Sequence, residues 1–113
     1  MASLFTKIMS GEIKADILFE DEVCIAFRGI QPQAPHHFLV VPRKELRSLA
    51  ECTPEDETIL GHLLVKAAEL ARDQGFSDSG FRTVINTNQD GGQSVYHLHV
   101  HVLGGRALKW PPG

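Results

Sequence analysis

The chain has 113 residues, 42% of them hydrophobic and 22% charged, the range of one ordinary globular domain with a single core. Eleven Lys and Arg against fourteen Asp and Glu leave a net charge of −3, which excludes the broad basic surface needed to bind nucleic-acid backbones but leaves room for a local anion pocket. No stretch approaches the ~18 consecutive apolar residues of a membrane span, MASLFTKIMSGE lacks the long apolar core of a signal peptide, and Cys24 and Cys52 read as two reduced, mostly buried thiols, so a cytoplasmic location with no membrane partner is expected.

In chain order, SLFTKIMSGE sets Phe5, Ile8 and Met9 at i, i+3 and i+4, the pattern of a short helix stopped by Gly11. ILFEDEVCIAF reads as two strands joined across Glu20, Asp21 and Glu22. RGIQPQAPHH, broken by two prolines and a glycine, is a loop, and HFLVVP is the next strand, closed by Pro42. The strongest helix signal runs through TPEDETILGHLLVKAAELARDQG. Thr53 suits the N-cap and Pro54 the first turn, with Glu55 and Asp56 at the positive end of the dipole. Ile59, Leu60, Leu63, Leu64, Ala67, Leu70 and Ala71 form its apolar face, Gly75 ends it, and His62 is expected in solvent. GFRTVINT is a strand, TNQDGGQS a loop, VYHLHVHVL a strand, and GGRALKWPPG too rich in Gly and Pro to be regular. One long helix and mostly antiparallel strands joined by short turns predict an α+β domain with the helix on one face of the sheet.

The segment from Val95 to Leu103 carries His97, His99 and His101 at every second position. In a strand one face then holds three imidazoles, and Tyr96, Leu98, Val100 and Val102 hold the other. The apolar face is expected against the helix and the imidazole face toward solvent or a pocket. Zinc fits this spacing poorly. His97 and His101 start about 13 Å apart, whereas zinc bonds of about 2.0 Å bring ligand nitrogens within roughly 3.3 Å of each other. Phosphate chemistry fits better. In Asp90-Gly91-Gly92-Gln93-Ser94 two glycines let backbone N–H groups turn toward an anion, Ser94 adds a hydroxyl, and Asn86 adds an amide. An imidazole with an unperturbed pKa near 6.5 serves as a nucleophile in one copy and a proton donor in another. Attack at phosphorus, proton delivery to a poor leaving group, and hydrolysis of the phosphoryl–imidazole by water then need no metal and no cofactor.

His97-Leu98-His99-Val100-His101-Val102-Leu103 resembles the His-x-His-x-His-x-x signature of the histidine triad (HIT) superfamily. DGGQSVYHLHVHVLGGRALKWPPG is similar to its Hint branch down to Trp110-Pro111-Pro112-Gly113, as are SLFTKIMSGEIKADILFEDE and PQAPHHFLVVPRK. The resemblance implies a HIT-like fold over residues 1–113, a homodimer whose sheets join, and a tail, 104–113, at the dimer interface. It also implies a purine nucleoside monophosphate pocket and hydrolysis of nucleoside 5′-phosphoramidates to AMP or GMP. The nucleophile then falls on His99, the other triad members on His97 and His101, and a distant fourth histidine on His37 rather than on His36, which is expected to be exposed. Asn86, Gly92, Gln93 and Ser94 fall on phosphate and leaving-group positions. Trp110, on its own merits a core aromatic or a pocket wall, becomes a wall of the partner's site.

Two departures stand out. Gly29 in AFRGI occupies the place of the family's ribose-binding acidic residue, so weaker ribose discrimination is expected. Ser3 and Thr6 stand where some bacterial relatives carry zinc-binding cysteines, which argues further against metal. A dinucleoside polyphosphate hydrolase, a nucleotidyltransferase, or a nucleotide-binding scaffold with incidental hydrolysis are the alternative functions.

Overall fold

A computed structural model describes residues 3–113. Helix α1 (Leu4–Met9) leads into a five-stranded sheet of β1 (Ile17–Glu20), β2 (Cys24–Arg28), β3 (His36–Pro42), β4 (Phe81–Val84) and β5 (Val100–Gly104), with helix α2 (Glu57–Asp73) between β3 and β4. The spatial order is β1-β2-β3-β5-β4 and every neighbouring pair is antiparallel. None of the described helices is long and apolar enough to cross a membrane.

The β1–β2 turn forms because Asp21 folds its carboxylate back on the chain. Its Oδ1 accepts the N–H groups of Val23 and Cys24, both at 2.8 Å, the local bonding that makes aspartate a turn residue. Alternation along β2 and β3 then builds a core on each side of the sheet. Cys24, Ala26, Phe38 and Val40 join Leu98, Val100 and Val102 against Leu63, Ala67, Leu70 and Ala71 of α2. Ile25, Phe27, Leu39 and Val41 face the other way, against Phe5 and Ile8 of α1.

The structure departs from the sequence expectations in several places. A 3₁₀ turn, Pro54–Asp56, precedes α2, so Asp56 takes the N-cap place and its Oδ2 accepts the Thr53 N–H at 3.0 Å. Leu64 lies off the buried stripe and is 47% exposed, beside the exposed Val65. His62 is half-buried rather than solvated, because its Nε2 meets Asp21 Oδ2 at 2.7 Å and ties α2 to the β1–β2 turn. His36 is half-buried and stacks on Phe76, centroids 4.3 Å apart. The histidine segment is strand only from Val100 onward. Its pairing with β3 runs from His36↔Gly104 to Val40↔Val100 and stops there. Further along β3 lies Pro42, which has no N–H to offer, and the Leu98 N–H turns to Leu46 O at 2.7 Å.

Candidate active site

His99 sits just before β5 and is 5% exposed. Its Nδ1 lies 2.7 Å from the carbonyl oxygen of His97. A carbonyl only accepts, so Nδ1 carries the hydrogen and Nε2 of the neutral ring is left with a lone pair. No side chain bonds that nitrogen. Among the described residues the only sealed side-chain polar atom lacking a partner is Ser48 Oγ, so His99 Nε2 opens to the cavity. Phe5 packs edge-on against the ring at 4.8 Å between centroids. Burial pulls the His99 pKa below the usual imidazole value, opposed by the hydrogen bond to the His97 carbonyl and assisted by the nearby His97 ring.

His101, on β5, approaches His99 at 4.9 Å between ring centroids. Its Nδ1 is 2.9 Å from Nε2 of His37 on β3, where register sets Leu39 across from His101 and His37 across from Leu103. The backbone N–H of Gln33 donates to His37 Nδ1 at 3.1 Å. An N–H cannot accept, so His37 Nδ1 is the acceptor and Nε2 carries the hydrogen. His101 Nδ1 therefore accepts, and its own Nε2 carries a proton toward the site. Burial, with the neighbouring charges of His99 and His37, pushes the His101 pKa down to about 4. Burial lowers that of His37 as well.

His99 and His101 line a cavity of about 360 Å³. Phe5, Ile8, Phe27 and Leu39 form its apolar wall, and Ser94, Gln31 and Ile30 its rim. Asn86 lies on the opposite flank, in a cleft shared with Gln33, His37 and His101. Gly29 adjoins His37, whose Nδ1 is 3.4 Å from where a Cβ at position 29 would sit.

The other expected site residues fall elsewhere. His97 does not line this cavity. Its Nε2–H donates to Pro42 O at 2.8 Å and its Nδ1 faces Ser3 Oγ at 3.0 Å. Ser3 Oγ also accepts the Thr6 N–H at 3.1 Å, so one hydroxyl caps α1 and orients His97. The triad thus supplies two rings to the cavity and one to the frame beneath it. The glycine loop closes on itself instead of turning its N–H groups outward. Gly92 donates to Gln89 O and Gln93 to Asn88 O, both at 3.0 Å. The Gln93 side chain, 7% exposed, accepts from Asn88 N–H and donates to the Arg47 and Val95 carbonyls. It organises the loop. Trp110 is 81% exposed, so it is no core residue.

Sequence reasoning missed the Gln33 N–H, the Phe5 contact and the Ser3–His97 bond. Only Phe5 left a trace, in the period of α1, and that period does not say which strand its face meets.

The family model for the HIT domain matches residues 10–108. This chain belongs to the HIT domain family. An uncharacterized HIT-like protein from Synechococcus elongatus is 52% identical over 111 residues, 98% of this chain and 96% of that protein. The crystal structure of a HIT family hydrolase from Legionella pneumophila superposes with a TM-score of 0.97 at 46% identity, covering 99% of this chain and 100% of that one. A zinc-bound histidine triad family protein from Mycobacterium smegmatis is similar at 29% identity and TM-score 0.78, over 94% of this chain and 76% of the other.

In this HIT protein the residues around His97 do not fit zinc. Both His97 nitrogens are in hydrogen bonds, and the neighbouring side chains Ser3 and Thr6 offer hydroxyls, not thiolates. Among the described residues, one group has its donor atoms within metal-binding reach, Asp21, Cys24 and His62. It lies at the β1–β2 turn and α2, where the Asp21 carboxylate is already bonded to His62 and two backbone N–H groups.

Proposed function

We propose that this HIT protein hydrolyses purine nucleoside 5′-monophosphoramidates, cleaving the P–N bond through a nucleotidyl-histidine intermediate. The observation that carries the reading is the polarity of the two imidazoles facing the cavity. His99 offers a bare Nε2 held in place by the His97 carbonyl, and His101 beside it offers an Nε2–H. That is a nucleophile and a proton donor 4.9 Å apart by ring centroid, in a site where burial disfavours the charged imidazolium form.

In the first half-reaction His99 Nε2 bonds to phosphorus as the P–N bond breaks. The departing nitrogen takes the proton of His101 Nε2, and the positive charge gained by the nucleotidylated His99 ring offsets the negative charge left on the His101–His37 pair, with the Ser94 hydroxyl close by to hydrogen-bond the amine or a phosphoryl oxygen. In the second half water replaces His99 on phosphorus and returns a proton to His101, releasing AMP or GMP. Aromatic and aliphatic walls from Phe5, Phe27, Ile8 and Leu39 suit a flat purine. Asn86 remains a candidate phosphate contact alongside Ser94, acting from the His37 side, whereas the Gly92 N–H is already given to Gln89 O. His97 and Gln93 act from behind, by holding the framework. No cofactor is required.

The single HIT domain is further read as one half of a homodimer, with 104–113 crossing to the partner and Trp110 lining its leaving-group side. Supporting this are the unpaired outer edge of β4 and the exposure of Leu64, Val65 and Trp110.

Initial rates on an aminoacyl-type adenosine phosphoramidate and on a diadenosine polyphosphate test the assignment. The phosphoramidate is expected to turn over far faster. The reverse order would point to a dinucleoside polyphosphate hydrolase, and turnover of neither to a nucleotide-binding protein.

A further inference from the structure

We propose that the Gly105–Arg106 corner, outside the cavity, is a positioning element that decides which nitrogen of His101 carries its proton. The inference rests on the reading of His101 as a donor and extends it to residues that touch no substrate.

The chain of contacts is continuous. Arg106 donates through one terminal nitrogen to Gln33 O at 2.9 Å and through the other to Ala107 O at 3.1 Å. One guanidinium therefore hooks the proline-rich loop onto the chain just past β5. Next to it, Gly105 at φ +93° passes so close to the loop that a Cβ there would lie 2.8 Å from Pro35 Cβ and 3.1 Å from the His36 ring. Only glycine lets the two segments meet at this distance. The clamp acts on one residue: Arg106 holds the carbonyl of Gln33, and the N–H of the same residue, in the preceding peptide unit, meets His37 Nδ1 at 3.1 Å.

A neutral imidazole pair has two proton arrangements, and nothing in the His37–His101 contact itself selects between them, because either nitrogen at 2.9 Å can donate. The Gln33 N–H selects. It is compatible with a bare His37 Nδ1 and collides with a protonated one, so it forces Nε2–H on His37 and, one ring further on, Nε2–H on His101. Released from Arg106, Gln33 loses the hold on its carbonyl side, and its N–H is free to turn away from His37. The reverse arrangement, with the His101 hydrogen on Nδ1 and nothing to give the leaving group, then becomes populated. A single ordinary hydrogen bond supports a bias of about tenfold between such states.

Nitrogen-15 spectra of histidine-labelled, ligand-free protein report this directly, since protonated and bare ring nitrogens have distinct shifts. At a pH well above the ordinary imidazole value, native protein is expected to show Nε2–H on both His37 and His101. Arg106→Ala is expected to show averaged shifts on both rings, with kcat lowered about two- to tenfold and KM little changed. Arg106→Lys keeps a donor for the Gln33 carbonyl and should stay near native. Native-like ring shifts in Arg106→Ala would overturn the proposal, as would equal scrambling in both variants. A hydrogen on Nδ1 of His101 in the native protein would instead overturn the proton-donor reading, a separate failure visible before any variant is made.

Discussion

Four imidazoles of one intrinsic chemistry are told apart here by what each ring's second nitrogen touches. A carbonyl behind His99 leaves its outer nitrogen bare, an N–H behind His37 sends a proton outward through His101, and two partners on His97 leave it nothing to offer. The alternation of histidines marked His99 and His101 as site residues in the sequence, and a resemblance marked His37. The division of labour was not legible, because it depends on atoms from Pro42, Ser3 and Gln33, remote in sequence from the triad. The glycine loop misled for a related reason: glycines license an inward-turned N–H, but Gln93 closes the turn with bonds that composition does not disclose.

Depressed imidazole pKa values have a direction that can be measured. Below the ordinary value of 6.5 the unfolded chain binds protons that folded His101, with a pKa of about 4, does not. Native stability is therefore expected to fall as pH drops from 6.5 toward 4, seen as a declining urea midpoint. Burial shifts His99 in the same direction, so the acid limb of kcat/KM should lie under pH 6.5. A limb at or above 6.5 would contradict the burial argument. At Gly29 a Cβ would make ordinary contact with His37, so Gly29→Asp should fit. A carboxylate there would accept from ribose hydroxyls, and a charged hydrogen bond of about 1.5–3 kcal/mol is worth roughly 10- to 100-fold. The ratio of ribo to deoxyribo turnover should rise by that factor over native protein, whatever happens to either rate alone. An unchanged ratio would remove Gly29 from specificity.

At the scale of elements, the strands and α2 were readable because period and turn chemistry are local. Asp21 made the hairpin turn, and the apolar positions of α2 named its buried stripe apart from Leu64. What failed was tertiary. The histidine strand begins three residues past His97 because its partner strand ends in proline, and His62 left solvent for a carboxylate 41 positions away. The consequence for the site is that α2 holds β5 from behind. Leu63 is fully buried among Ala26, Val40 and Val100, so Leu63→Ala should cost about 2–5 kcal/mol in chemical denaturation. Turnover per folded molecule should stay near native, since the cavity is on the other face of the sheet. A loss under 1 kcal/mol would mean that α2 is not the anchor.

Taken as a whole molecule, the sheet is a partition. One face is filled by α2, and the other is shared between α1 and the His99 and His101 rings, which line a 360 Å³ cavity. Antiparallel register delivers His37 and His101 to one spot from segments 64 residues apart, which is how so short a chain assembles a site. Leu64, Val65 and Trp110 are exposed and do not line that cavity. The central claim is chemical: His99 Nε2 becomes covalently bonded to phosphorus. Rapid acid-free quenching during turnover of an adenosine phosphoramidate, followed by intact-mass and peptide mass spectrometry, tests it most directly. An adenylyl adduct on His99 that is absent from His99→Ala, together with loss of turnover in that variant, is the predicted result. Unimpaired turnover by His99→Ala, or an adduct on another residue in the native protein, would contradict it.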